Sequence, residues 1–254
     1  MRIHQIRNAT LKIDFGGKTF LIDPMFAPKD TYPPITDKTW PFCDLPIPVK
    51  DIIKNIDAVI ITHIHIDHFD KYAEEVLPKS TKIFVQDIFD KNALEKSHFN
   101  NIEVLTEEGN NFEGIKLHKT ECRHGIRELA EPMMLANGMR WEAMGVVFES
   151  DREQTLYLAG DTIWYNGVKE TIDKYNPEYI IVNAACAQTP KSGPIIMGIE
   201  DIKELHNYAP EIKIIGSHLD CVGHATLSRY DIRKSEVKDF IYLPADGEII
   251  TIED

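Results

Sequence analysis

The sequence has no long apolar run, few cysteines and no export signal that we can identify. No stretch approaches the roughly 18 to 20 apolar residues of a membrane span, which argues against a membrane protein. The four cysteines form no Cys-x-x-Cys pair, so we expect free thiols in a reducing compartment rather than a disulfide framework. The N-terminal segment lacks an apolar core and a small-residue cleavage site, and we therefore expect a cytoplasmic protein.

Positive charge is also scarce in this chain. Lys and Arg number 28 against 41 Asp and Glu, which gives a formal net charge of -13 at pH 7. Such a surface repels phosphate backbones, so we expect no nucleic-acid partner. A small anionic substrate stays compatible with this charge, because a bound metal ion can reverse the potential locally.

The remaining composition is that of an ordinary globular protein. The hydrophobic content is 43% and the charged content 27%, and 254 residues are enough for a substantial core. No low-complexity tract or Ser/Gly linker divides the chain, so we predict a single domain over residues 1–254. Short strands with a turn at Gly16-Gly17 open the sequence, and strand–helix alternation follows from about residue 50. This order predicts an α/β fold.

Three segments interrupt the regular pattern. Residues 24–48 contain seven prolines, which excludes a helix or a central strand there. The aromatic residues in this segment favour either a lid or pocket wall, or a packed surface excursion. Residues 125–142 are predicted to be irregular or briefly helical. The chain closes with two predicted strands around Asp246-Gly247.

A cluster of metal-ligating residue types follows one predicted strand. The apolar run at 58–61 gives way to His63, His65, Asp67 and His68 within a few positions. Three imidazole nitrogens and one carboxylate suit Zn²⁺, and they could also hold Mn²⁺ or Fe. Ligands so close along a turn divide naturally between two ions, which predicts a dinuclear site.

Later strand ends carry the same residue types. His124, Asp161 and His218 each come just after a predicted strand, with a glycine beside or near them. Strand ends in α/β folds commonly carry the chemistry. A surface or capping role explains one such residue but explains four separate strand ends poorly, so the residues are expected to form one shared site.

The motifs "THIHIDH", "RHG", "AGDT" and "GSH" occur in the order typical of the metallo-β-lactamase superfamily, which the chain resembles over nearly its whole length. The opening "IRNATLKIDFGGKTFLIDPMF" resembles its ascorbate-phosphate lactonase-like subgroup. The resemblance implies a four-layer αβ/βα sandwich, with two mixed β-sheets flanked by helices. It also implies two divalent ions and a bridging water as nucleophile. The implied ligands are His63, His65 and His124 for the first ion, Asp67, His68 and His218 for the second, and Asp161 for both.

Some roles stay open at this level. His224 follows His218 closely and could be the last ligand, a substrate contact or a general acid. Asp67 could orient the hydroxide as well as bind metal, so Asp67, Asp161 and His224 are the catalytic candidates. Candidate substrate contacts lie near the ligands in sequence: Arg123, Arg229 and Trp141.

The predicted activity is hydrolysis of a small ester, lactone or phosphoester by metal-activated water. One alternative is a di-metal protein with redox or metal-binding function and no hydrolysis. A nuclease of the same superfamily is less favoured, because the chain is acidic and has no nucleic-acid-binding insertion. A small-molecule substrate is therefore the expected partner, and self-association would be common at this chain length.

Overall fold

The structure is a computed structural model that describes residues 1–35, 37–189 and 191–253. The first half alternates strands and helices after an opening meander. Its elements are β1 (Arg2–Arg7), β2 (Thr10–Phe15), β3 (Lys18–Ile22), α1 (Val49–Ile52), β4 (Ala58–Ile61), α2 (Lys71–Val76), β5 (Ile83–Val85), α3 (Ile88–Lys96) and β6 (Ile102–Val104).

The second half repeats the plan with longer antiparallel strands. Its elements are β7 (Asn110–Phe112), β8 (Ile115–Glu121), α4 (Arg127–Ala136), β9 (Met144–Ser150), β10 (Glu153–Leu158), α5 (Asn166–Tyr175), β11 (Tyr179–Asn183), β12 (Gln188–Thr189), β13 (Gly193–Pro194), α6 (Ile199–Tyr208), β14 (Lys213–Ser217), α7 (Arg229–Lys234), β15 (Ile241–Tyr242) and β16 (Ile249–Thr251).

Two seven-stranded mixed sheets form the centre of the molecule. The first has the order β16-β1-β2-β3-β4-β5-β6, and the second has the order β15-β14-β11-β10-β9-β8-β7. In the first, β3 to β6 run parallel, and in the second, β10, β11, β14 and β15 run parallel. Helices cover the outer face of each sheet, so the predicted four-layer sandwich is confirmed.

The residues of β4 show why both faces of a strand are apolar. Ala58 and Ile60 belong to the core shared by the two sheets, whereas Val59 and Ile61 pack under the helices of the outer layer. All four are fully buried. Burying each of the larger aliphatic side chains contributes about 1.5–3 kcal/mol, which explains the continuous apolar run before His63.

The proline-rich segment is packed onto the domain. Apart from one isolated bridge between Tyr32 and Trp40, its described residues before α1 form no helix or strand. The fully buried Arg7 donates hydrogen bonds to the carbonyl oxygens of Cys43, Met25 and Ala27, at 2.9–3.0 Å. These contacts support the packed excursion rather than a free lid.

The prediction for residues 125–142 needs correction. Residues 127–136 form a ten-residue helix, α4, rather than an irregular or briefly helical segment, and Pro132 lies inside it. The two predicted closing strands are confirmed, and they belong to different sheets, since β15 pairs with β14 and β16 pairs with β1. Within the described ranges, no helix combines the length and apolarity needed to cross a membrane.

Candidate metal centre

The predicted ligands come together at one edge of the sandwich, where strands of both sheets end. His63 follows β4 of the first sheet, while Asp161 and His218 follow β10 and β14 of the second. Because β10 and β14 run parallel to the strand between them, their carboxyl ends lie at the same edge. The sheet topology therefore explains how residues 150 positions apart, His68 and His218, come into contact.

The donor atoms form three overlapping groups, and the atoms of each group lie within 4.8 Å of one another. They are His63, His65 and His124; His63, His68 and Asp161; and Asp67, His68 and His218. All of these residues are buried except His65, which is partly exposed. A set of imidazole nitrogens and carboxylates with this spacing is chemically suited to hold divalent ions.

The individual contacts show that the rings face a common point. His63 Nε2 lies 3.0 Å from His65 Nδ1, and His68 Nε2 lies 3.2 Å from His218 Nε2. Asp161 Oδ2 lies 3.3 Å from His68 Nε2 and 3.4 Å from His124 Nδ1. Opposed ring nitrogens beside a buried carboxylate are the arrangement expected of ligands around a cation.

Contacts from outside the cluster fix which nitrogen of each ring faces inward. His65 Nε2 donates to the carbonyl oxygen of Arg140 at 2.6 Å, which leaves Nδ1 as the free acceptor. His68 Nδ1 contacts Asp23 Oδ2 at 2.8 Å, which leaves Nε2 toward the cluster. His63 Nδ1 lies 3.1 Å from Thr62 Oγ1, which likewise leaves Nε2 of His63 toward the cluster. Such outer partners are typical of histidines that bind metal.

Comparison with known proteins places this geometry in a family. The model for the β-lactamase superfamily domain matches residues 18–219, which include all the clustered residues. A relative from Bacillus subtilis (strain 168), the UPF0173 protein YddR, is 44% identical and covers 99% of this chain and 100% of its own length. The chain belongs to the UPF0173 metal-dependent hydrolase family of the metallo-β-lactamase superfamily.

Two solved structures resemble this UPF0173 chain closely. A possible metal-dependent hydrolase from Veillonella parvula DSM 2008 is 39% identical, with a TM-score of 0.93 and 99% of each chain covered. An isothiocyanate hydrolase from Delia radicum gut bacteria is 37% identical, with a TM-score of 0.92 and 100% of each chain covered. The fold and the assignment of this chain as a metal-dependent hydrolase agree with both.

The electrostatics of this hydrolase's cluster favour positive charge at its centre. Burial opposes the charged form of Asp161, but the charges and hydrogen bonds of His68 and neighbouring histidines hold its pKa well below 3.8. Although burial lowers it, the pKa of His68 is raised well above 6.5 by the carboxylates of Asp161 and Asp23. Burial lowers the pKa of His124 to about 4, so its ring is neutral and its lone pair is available at pH 7.

Two outer residues of the site were missed by the sequence reasoning. Asp23 accepts hydrogen bonds from the main-chain N–H and the hydroxyl of Thr62, both at 2.7 Å, and holds His68. Asn183 Nδ2 donates to Asp161 Oδ1 at 2.5 Å. Asp23 comes directly after β3, so the rule that found Asp161 would have found it as well.

His218 and His224 occupy different positions in this UPF0173 site. His218 Nε2 lies 3.3 Å from Asp67 Oδ2 and belongs to a donor group, whereas His224 Nε2 lies 3.8 Å from the same oxygen and belongs to none. Burial lowers the pKa of His224 below its usual 6.5. The ring of His224 therefore lies beside the cluster in its neutral form.

The three candidate substrate contacts differ in their surroundings. The guanidinium of Arg229 is held by Asp220 and Asp246, and these contacts argue against the predicted substrate role. Arg123 precedes His124 and has no carboxylate within ion-pair distance among the described residues. The indole of Trp141 is 7% exposed, and its N–H has no hydrogen-bond partner in the described part of the chain.

Proposed function

We propose that this chain hydrolyses a small, weakly charged carbon electrophile, such as an ester, a lactone or an isothiocyanate, at a two-metal centre. The observation that carries the proposal is the convergence of donor atoms in three linked groups, of which the first two share His63 and the last two share His68. Shared members are expected when two ions lie side by side. The donor set fits Zn²⁺ best, and Mn²⁺ or Fe would also be accepted.

In this proposal each of the two ions would have three ligands of its own, and a seventh residue would bind both ions. The first would be held by His63, His65 and His124, the second by Asp67, His68 and His218, and Asp161 would bridge the two. Such ions, when bound, lower the pKa of a shared water and polarise the bond under attack.

His218 is assigned here as the last ligand, and His224 as a hydrogen-bond donor to the substrate. The shorter contact of His218 with Asp67 supports the first assignment. The lowered pKa of His224 supports the second, because a neutral imidazole keeps one N–H to donate but is a poor acid. Such a donor would stabilise the negative charge that develops on the attacked group.

The charges around the centre support a weakly charged substrate. The guanidinium groups of Arg127, Arg140 and Arg229 are already engaged by carboxylates, which leaves Arg123 as the arginine beside the ligands without such a partner. A phosphoester site usually gathers more positive side chains than this. We therefore rank phosphoesters behind carbon electrophiles.

Two exposed side chains close to the ligands in sequence are apolar. Ile66 follows His65 and is 45% exposed, and Ile126 lies two residues after His124 and is 43% exposed. Apolar groups at the rim favour a substrate with an apolar substituent.

The relative named as an isothiocyanate hydrolase adds one substrate class to the esters and lactones expected from the sequence. Water added to the central carbon of an isothiocyanate gives a thiocarbamic acid, which breaks into an amine and carbonyl sulfide. This attack on carbon has the same demands as ester or lactone hydrolysis: a nucleophilic hydroxide and a donor to the developing anion. Membership of the lactonase-like subgroup would make lactones the preferred class.

The test is metal analysis joined to a substrate panel. The purified protein, loaded in turn with Zn²⁺, Mn²⁺ or Fe²⁺, is assayed with an aryl ester, a γ-lactone, benzyl isothiocyanate and an aryl phosphodiester. We expect two metal ions per chain and cleavage of at least one carbon electrophile, abolished by a chelator. Cleavage of the phosphodiester alone would overturn the substrate class while leaving the metal centre standing.

Two variants test the centre itself. His65→Ala and Asp161→Ala should each lose more than about 100-fold in kcat/KM, since even partners outside the ligand shell are worth about 10–100-fold. His206→Ala removes an imidazole that stacks on Phe240 instead and should leave activity unchanged. Full activity in both ligand variants would contradict the proposed function.

A further inference from the structure

A pair of cysteines outside the metal centre joins two distant parts of the chain. Cys43 lies in the proline-rich segment 24–48, and the buried Cys221 lies in the loop after β14. The main-chain N–H of Phe42 donates to the carbonyl oxygen of Cys221 at 2.9 Å, which ties the two segments together beside the thiols. The thiol of Cys43 donates to Asp246 Oδ2 at 3.7 Å, and its side chain packs against the small apolar cluster that contains Cys221.

A buried arginine beside this pair has no acidic partner. Arg7 is fully buried, and its guanidinium donates to three main-chain carbonyl oxygens, one of which belongs to Cys43. Among the residues described, no carboxylate lies within ion-pair distance of Arg7. A buried cation that is bonded only to neutral groups favours any nearby group that can become an anion.

The two thiols have unequal roles in this setting. The neighbouring thiol of Cys221 lowers the pKa of Cys43 against burial and the charge of Asp246, which raise it, and the charge of Arg7 lowers it as well. The neighbouring thiol of Cys43 and burial raise the pKa of Cys221. The partly exposed Cys43 is thus the better nucleophile, and the thiol beside it can resolve a first oxidation product.

We propose that Cys43 and Cys221 form a reversible disulfide when the protein meets a hydroperoxide, an activity separate from hydrolysis at the metal centre. The Cys43 thiolate attacks one oxygen of the peroxide and breaks the O–O bond, which yields a sulfenic acid and hydroxide. The sulfur of Cys221 then attacks the sulfenic sulfur and releases water. In total, two thiols and one hydrogen peroxide give one disulfide and two waters.

The proposed bond would link the proline-rich segment to the loop that carries two histidines of the site. Cys221 lies three residues from both His218 and His224. The same apolar cluster contains Trp40 of the proline-rich segment and Val222 of that loop, so oxidation would fix a contact that exists already. The existing contact between the two segments favours the bond.

The other two cysteines provide controls within the chain. Cys186 is partly exposed like Cys43, but its neighbours are Thr226 and Asp201, and burial raises its pKa. Cys122 is buried and donates to the carbonyl oxygen of Ala159 at 3.1 Å. Among the described residues, no interaction places another thiol beside either cysteine, so both should stay reduced.

The experiment treats the metal-loaded full chain with hydrogen peroxide, blocks remaining thiols with iodoacetamide after unfolding, and maps peptides without reductant. We expect a cross-linked pair of peptides that carries Cys43 and Cys221 and is lighter by two hydrogens. Two of the four thiols should be lost and should return with a dithiol reductant. Cys186→Ser should behave as the wild type, except for its missing thiol.

A second measurement tests, without oxidation, whether the two thiols are close enough to react together. Phenylarsine oxide bridges two adjacent thiols with release of one water, so it should bind the wild type and Cys186→Ser but neither Cys43→Ser nor Cys221→Ser. Unchanged metal content in the serine variants would show that they fold. Oxidation of Cys43 to sulfinic acid with Cys221 still free, or a disulfide between two chains, would overturn the proposal.

Discussion

The two proposed metal positions are held from outside by different chemical groups. His68 is oriented by a carboxylate, since Asp23 Oδ2 contacts its Nδ1 at 2.8 Å. His65 is oriented by a neutral carbonyl, because its Nε2 donates to Arg140 O at 2.6 Å. A charged acceptor raises the basicity of the opposite ring nitrogen more than a neutral one does. The group of Asp67, His68 and His218 should therefore bind its ion more tightly.

The surroundings of the two groups point the same way. Asn8 connects two members of the second group, because its side-chain amide donates to Asp67 O and its carbonyl accepts from the main-chain N–H of His218, both at 3.0 Å. In the first group, His65 is partly exposed, and the residue that holds it, Arg140, lies at the surface side of the site. The first group is thus the one whose ion should exchange more readily.

The largest expected effect comes from removing one ligand of each group. His65→Ala and His68→Ala should both lose more than about 100-fold in activity. They should differ in the ion that remains, which a chelator should strip from His68→Ala at about 10–100-fold lower concentration than from His65→Ala. Equilibrium competition with a fluorescent chelator measures this, and His206→Ala serves as the control. An equal resistance in the two variants would remove the proposed difference between the groups.

Asp90 contacts Arg140, the residue whose carbonyl holds His65, and its ionisation should make the stability of the protein depend on pH. Arg140 Nη1 donates to Asp90 Oδ1 at 3.1 Å, and burial of Asp90, with the charge of Asp87, raises its pKa to about 6. The folded state therefore binds this proton more tightly than the unfolded chain, whose carboxyl titrates near 3.8. Ionisation should cost the wild type about 2 kcal/mol between pH 4 and pH 8, and the loss is complete above the folded pKa.

Asp90→Asn should lack this loss. Urea unfolding of the metal-free protein from pH 4 to pH 8 should show that the variant gains stability relative to the wild type as the pH rises through about 6. Asp151→Asn changes an exposed carboxylate between β9 and β10 and should follow the wild type at every pH. A constant difference between Asp90→Asn and the wild type would mean that Asp90 ionises normally in the fold.

Asp23→Asn should weaken the second metal position selectively. The variant keeps the size of the side chain but removes the charge that faces His68, so affinity for one of the two ions should fall by about 10–100-fold. Isothermal titration of the metal-free protein would separate the two binding events. Asp14→Asn, in the neighbouring strand β2 and paired with Arg2, should leave both unchanged. Equal weakening of both ions would contradict the separate roles given to the groups.

The residues that come together in the cluster carry a local signal in the sequence. His63, Asp161 and His218 all follow apolar strands, and that local signal does not depend on knowing which strands are neighbours. The same rule applied to β3 would have included Asp23. The elements that were predicted well, such as α3 with its N-cap at Asp87, carry their signal in adjacent residues too.

The features that escaped prediction depend on contacts between distant residues. The carbonyl of Arg140 has no side-chain signal, yet it orients His65 across 75 positions of sequence. The helix α4 contains Pro132, and proline usually breaks a helix. Ala130 and Met134 nevertheless bury the inner face of α4 in the core between the second sheet and its helices. The closing strands β15 and β16 separate into two sheets for the same reason: their partners lie far away in sequence.

The smallest expected effect concerns Asn8, which connects Asp67 with His218. Its φ of 54° lies in the left-handed region, where asparagine and glycine are tolerated and alanine costs about 1–2 kcal/mol. Asn8→Gly keeps this backbone and its carbonyl but loses the amide bond to Asp67, at a cost of about 1 kcal/mol. Asn8→Ala loses the same bond and adds backbone strain.

The two variants together separate the side chain of Asn8 from its backbone. Urea unfolding should rank the metal-free proteins as wild type, then Asn8→Gly, then Asn8→Ala, with steps of about 1 kcal/mol. Metal titration should show a few-fold weakening of the second ion in both variants, because both lose the bond to Asp67. If Asn8→Gly bound both ions like the wild type, Asn8 would have no part in the tighter second position, which would then rest on other outer contacts such as that of Asp23 with His68.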